Sequence, residues 1–216
     1  MLYRDEILQD VLGVMRALVL DDDVRVEYGR AHEHARAIAG ETLNIIVHLM
    51  EVNFQSNESI MRDLMTTLSS LLVRTEFCEM VSDAGVLKII HEAMICYHDS
   101  ESFTKQSFKL LKSLAGNDEC KRHIIKNGAA ETIVSGINRH RASATTVGLG
   151  LACVAALTLR SPDNSQILFQ TGAPEAIVNA MKVHPDIENV QVRVLYTRYV
   201  NITNCSEFYK QRFHLE

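Results

Sequence analysis

One apolar phrase is written four times along the chain. "KNGAAETIVSGI" at 126–137 returns as "QTGAPEAIVNAM" at 170–181, and it is preceded by "DAGVLKIIHEAM" at 83–94 and, more loosely, "IAGETLNIIVHLM" at 38–50. The glycines inside these phrases are Gly40, Gly85, Gly128 and Gly172, so the successive spacings are 45, 43 and 44 residues. A fixed period of about 40–47 residues marks an array of two- or three-helix repeats. A single repeat of this kind cannot bury its own apolar side, whereas stacked neighbours share one core. The phrase recurs because each copy presents the same packing surface, and function is left to the surfaces that packing does not use.

Behind each glycine the apolar residues follow helical spacing: Ile45, Ile46 and Leu49; Ile89, Ile90 and Met94; Ile133, Val134 and Ile137; Ile177, Val178 and Met181. Before each glycine lies a short apolar segment, such as "ECKRHIIKNG", which reads as a short helix stopped by a residue that tolerates positive φ. Before that comes a longer amphipathic run, as in "ESFTKQSFKLLKSLAG". Each unit is therefore expected to be a short helix, a glycine turn, a medium helix, a loop and a long helix. Apolar residues make up 47% of the chain and charged residues 23%, with three prolines and no tryptophan. That composition is typical of a folded chain rather than a disordered one, and no period-two run suggests a sheet. The expected class is all-α.

"LAGNDECKRHIIKNGAAETIV" and "LTLRSPDNSQILFQTGAPEAIV" resemble the armadillo consensus, in which a leucine-rich third helix leads through an Asn-containing turn to a Gly-Ala-Ile-Pro-like second helix. More narrowly, "LVLDDDVRVEYGRAHEHAR" and "LRSPDNSQILFQTGAPEAIVNAMKVHP" resemble the armadillo repeat-containing protein six family. The resemblance implies a right-handed α-solenoid whose third helices line a concave groove for an extended partner segment. It divides 1–216 into a single solenoid of about four repeats with partial repeats at both ends. Residues 1–23 would be the last helix of a preceding repeat, 24–74, 75–116, 117–159 and 160–204 the repeats, and 205–216 the start of a truncated one. In importin-like members a Trp, and an Asn four residues later, recur along the groove. Here the Trp position falls on Gly13, Thr66, Lys109, Ala152 and Thr197, and the Asn position on Ala17, Ser70, Ser113, Ala156 and Asn201. Four of the five Asn positions lack the amide and every Trp is missing, so an import-receptor mechanism is not expected.

Charge is what the groove offers instead. Lys105, Lys109 and Lys112 recur at i, i+4 and i+7 and share one stripe of a helix over 102–116. The competing reading is the solvated side of an amphipathic helix. Residues 101–141 carry eight Lys/Arg against four Asp/Glu, and Arg193 and Arg198 add to the next long helix, whereas residues 1–60 carry five against eleven. With a net charge of −5 overall, nucleic acid is not an expected partner. The candidate groove is Thr66, Ser70, Lys105, Lys109, Lys112, Ser113, Arg193, Thr197 and Asn201.

Four further features carry less. His32 and His34 are two residues apart and point to different sides of a helix, so they do not form a metal pair. "LDDDV" at 20–24 lacks the ordered ligands of a calcium loop and reads as an acidic helix start. The first repeat is about seven residues longer than its siblings between Asp23 and Gly40, either a longer first helix or a functional loop over 24–39. Cys120 sits beside Lys121, Arg122 and His123, which could activate a thiol, but it occupies a turn position with no base or orienting group in register.

The five cysteines are odd in number and have no CxxC spacing, so free thiols in a reducing compartment are expected, with an intracellular, cytoplasmic or nuclear location. The sequon at Asn201 is read as accidental. The N-terminal stretch is read as neither signal peptide nor membrane helix. The expected function is a non-enzymatic scaffold, monomer or weak dimer, that binds an extended, acidic protein or peptide segment without cofactor, metal or membrane. The alternatives are a structural fragment of a larger armadillo protein whose binding surface lies elsewhere and, ranked last, a Cys-dependent enzyme.

Overall fold

The computed structural model describes residues 2–20, 30–72 and 75–193. Among them every regular element is helical, and no strand occurs. The chain forms two compact units, Met1–Tyr97 and His98–Glu216.

The first unit contains α1 (Leu2–Leu18), α2 (Arg30–Asn53), α3 (Glu58–Leu71), α4 (Thr75–Asp83) and α5 (Val86–Cys96). Helix α3 lies against both α1 and α2. Its buried residues Ile60, Met61, Leu64, Met65 and Leu68 meet an interior that includes Leu12 of α1 and Ile46 and Met50 of α2. A polar seam runs beside this core. Gln9 Nε2 donates to Ser59 Oγ at 3.0 Å and to Asp63 Oδ2 at 2.8 Å, and Arg16 Nη1 donates to Thr67 Oγ1 at 2.8 Å.

The first repeat departs from the expected plan. Gly40 makes no turn, because α2 runs through it without interruption from Arg30 to Asn53. A Cβ at Gly40 would meet nothing within 4 Å, and the flanking Ala39 and Leu43 are buried at helical spacing, so nothing there requires positive φ. Of the extra segment, residues 30–39 extend this helix. Ile45, expected in the core, is 59% exposed, while Ile46 beside it is 2% exposed.

The second unit contains α6 (Glu101–Leu114), α7 (Asp118–Lys126), α8 (Ala129–Arg139), α9 (Ala144–Thr158), α10 (Pro162–Gln170) and α11 (Ala173–Val183), followed by helical residues 188–193. Here the expected short, medium and long order holds. Gly85 before α5, Gly128 before α8 and Gly172 before α11 have φ of +81°, +83° and +91°, the left-handed conformation that lets one helix stop and the next begin with only two residues between them. Side chains satisfy the first free N–H groups of several helices. Asn57, Ser100, Asn117 and Ser143 accept from backbone amides of α3, α6, α7 and α9.

Helix α9 is the centre of this unit, packing on α6, α8 and α10. It approaches closely because its sequence is small: the Phe108 ring, fully buried, lies where Gly136 of α8 and Gly150 of α9 leave room. A Cβ on Gly150 would collide with Ile137 Cγ1 and stand 2.9 Å from Phe108 Cε2. Burying a ring of this size contributes roughly 1.5–3 kcal/mol. On its other side α9 meets α11 and the helix over 188–193 through Val147, Leu151, Ile177, Ala180 and Val190. Asn164, 3% exposed, ties three elements together, its Nδ2 donating to Lys121 O at 3.3 Å and Leu157 O at 3.1 Å.

Candidate protein-interaction site

The lysine stripe on α6 divides into two roles. Lys105 Nζ lies 2.6 Å from Glu101 Oε1, and that same oxygen accepts a bond from Thr146 Oγ1 of α9 at 2.8 Å. Hydrogen bonds from Lys105 first, then from Ser143 and Thr146, pull the Glu101 carboxyl down to about 2. Lys105 is therefore half-buried and joined to a bracket between α6 and α9. Lys109 and Lys112 are exposed, and their charges face solvent.

Lys112 stands at the edge of a hollow of about 450 Å³ within the second unit. Its floor is one stripe of α9, Ala152, Ala155 and Ala156 at i, i+3 and i+4, continued by Leu159 just past the helix end. The far wall is Asn189, Val192 and Arg193 of the helix over 188–193. Arg193 Nε donates to Asn189 Oδ1 at 2.9 Å, which orients the guanidinium along this wall. The result is an apolar floor of methyl groups between an ammonium and a guanidinium, suited to an apolar group that has negative charge beside it.

The other candidates fall in different places. Ser113 Oγ donates to Lys109 O at 3.1 Å within α6. Thr66 and Ser70 belong to α3 of the first unit, where their hydroxyls donate to Arg62 O and Thr67 O, each at 2.7 Å. Thr197, Arg198 and Asn201 lie outside the described residues, as do Asp21, Asp22, Asp23 and the C-terminal stretch 205–216. Sequence reasoning did not single out Leu159, Asn189 or Val192. The available signal was the small-residue stripe of α9, whose Ala152 and Ala156 occupy the positions of the expected Trp and Asn.

The cysteine cluster loses its activating charges. Cys120 is fully buried. Lys121 Nζ, itself in a residue only 3% exposed, donates to Asp118 Oδ1 at 2.8 Å and Leu159 O at 3.0 Å, and Arg122 and His123 both pair with Glu119. Burial pushes the Cys153 thiol up to about 12 and raises that of Cys78 as well, which keeps both protonated. His34 Nδ1 lies 3.2 Å from Leu18 O. Among the described residues no three His, Cys, Asp or Glu side chains gather in a metal-holding group, and no helix is long and apolar enough to cross a membrane.

A family model described as ARMC6 matches residues 2–210, all but the ends of the chain. The chain belongs to the ARMC6 family. It is 41% identical over 169 residues to the armadillo repeat-containing protein 6 homolog of Drosophila melanogaster, an alignment covering 78% of this chain and 36% of that protein. To human armadillo repeat-containing protein 6 it is 33% identical over 176 residues, covering 77% of this chain and 35% of that protein. The chain thus spans about a third of the length of the curated ARMC6 relatives it matches. Among solved structures, an engineered protein superposes with a TM-score of 0.75 at 17% identity, covering 92% of this chain and 76% of that one. A second engineered protein gives 0.64 at 14% identity, covering 88% and 78%. These likenesses concern the fold, an armadillo-type α-solenoid.

Proposed function

We propose that this ARMC6 chain is a protein-interaction scaffold and that its second unit binds an extended acidic segment of a partner across α6, α9 and the helix over 188–193. The observation that carries this is the hollow itself, whose apolar floor from Ala152 to Leu159 is lined on one side by Lys112 and on the other by Arg193. Repeat architectures present such surfaces because packing consumes only the faces between neighbours. The scaffold acts as a monomer or weak dimer, without cofactor or metal, and nucleic acid is not its partner. Its work is intracellular, in the cytoplasm or nucleus, a placement supported by the free thiols of Cys78, Cys96, Cys120 and Cys153.

Selection of a random peptide display library against the folded chain tests this reading. Enriched peptides should be acidic, and a Lys109→Glu, Lys112→Glu, Arg193→Glu variant with unchanged helicity should lose them, since like charges brought together at an interface cost several kcal/mol. Enrichment of basic or uncharged peptides, or unchanged selection by the variant, would move the binding surface elsewhere.

A further inference from the structure

The hollow specifies more than charge. Ala152, Ala155 and Ala156 form one stripe of small side chains along α9. The space between α9 and the helix over 188–193 is consequently open, about 450 Å³, more than a leucine side chain fills. Its walls are methyl and methylene groups from Ala152, Ala155, Ala156, Leu159 and Val192. Cations stand at both edges, Lys112 and Arg193. A flat ring satisfies each of these features. It fits within the volume with space left for flanking side chains, rests against the alanine stripe, and offers a negative π-face to an ammonium or guanidinium.

The geometry points to an aromatic side chain of the partner, Trp best, seated in the hollow and flanked by acidic residues that pair with Lys112 and Arg193. This inference rests on the proposed acidic-segment reading and adds the residue that anchors it. Binding hot spots are commonly aromatic side chains in desolvated pockets, surrounded by contacts that mainly exclude water. Acidic residues alone would meet exposed lysines, whose individual pairs contribute little. The ring supplies most of the affinity, and the charges supply register and selection against basic segments.

Two synthetic peptides test it, acetyl-Asp-Glu-Trp-Glu-Asp-amide and the same peptide with Ala in place of Trp, titrated into the full chain carrying 13C-labelled alanine methyls. The Trp peptide should bind at least tenfold more tightly and shift the Ala152, Ala155 and Ala156 methyl resonances through its ring current. Ala156→Trp, which places a ring of the same size in the hollow from the floor, should reduce the Trp peptide to the affinity of the Ala peptide. Val192→Trp, at an exposed wall position that leaves the core untouched, should do the same if the first variant folds poorly. Equal affinity of the two peptides, or a Trp preference that survives either filling variant, overturns the inference while leaving the acidic groove standing. Failure of both peptides to perturb any resonance around Lys112 and Arg193 overturns the groove and the inference together.

Discussion

At the scale of single residues, the sharpest constraint is the missing side chain of Gly150. A methyl there has no room against Ile137 and Phe108, both buried, so Gly150→Ala forces α9 away from α6 and α8. Overpacking of this kind costs about 1–3 kcal/mol, which chemical denaturation of the variant would register as a lower midpoint. The turn glycines and Arg160 make a contrasting pair. Gly172 at φ +91° tolerates no Cβ without strain, so Gly172→Ala should lose about 1–2 kcal/mol. Arg160 occupies φ +55° in the turn after α9, 44 positions after Gly116, and there Arg160→Gly should be neutral to slightly stabilising. Relief of the left-handed conformation is offset in part by the larger backbone entropy of glycine in the unfolded chain. The three true turn glycines were legible because their phrases repeat. His140 and His184 were not. They stand 44 apart, and each reaches back to the preceding repeat, His140 Nε2 to His98 O at 3.1 Å and His184 Nε2 to Arg141 O at 2.7 Å. Only the fold shows that a histidine at the end of the second helix faces the carbonyl of an earlier turn.

At the scale of elements, the sequence pattern predicts helix type well and fails where a helix has a choice of partners. A glycine inside "AIAGETL" looks like its siblings, yet α2 passes straight through Gly40, because alanines and Leu43 around it satisfy a continuous helix and no short helix is needed. Amphipathic spacing in α6 was legible, whereas the division of its lysines was not. That division depends on Thr146 and Ser143 of α9, which join Glu101 and draw Lys105 with it. The same bracket makes the α6–α9 contact sensitive to acid. Glu101 has a folded-state pKa near 2, below its ordinary value of 4.5, so its contribution is fully present above about pH 4.5 and is lost as pH falls toward 2. Thermal melts between pH 5 and 2.5 should show a Tm decline in the wild type that is shallower in Glu101→Gln. Parallel declines would mean that the bracket does not contribute to stability.

At the scale of the whole molecule, charge and apolar surface act over different distances, and salt separates them. The chain carries a net charge of −5, with its acidic excess in residues 1–60 and its basic excess in residues 101–141, so attraction of an acidic segment is a local effect opposed by the overall charge. Raising ionic strength from 0.15 M to 1 M shortens the screening length from about 8 Å to about 3 Å, which weakens pairing by exposed groups such as Lys109 and Lys112. Burial of a ring on Ala152, Ala155 and Ala156 is not weakened by screening, because it depends on the apolar area removed from water. Both test peptides should therefore lose affinity over this range by a similar factor, while the ratio between the Trp and Ala peptides stays constant. Titration calorimetry at the two salt concentrations measures both quantities. A ratio that collapsed with salt would show that the ring is held chiefly by its attraction to the two cations, and affinities indifferent to salt would remove charge from the account of binding altogether.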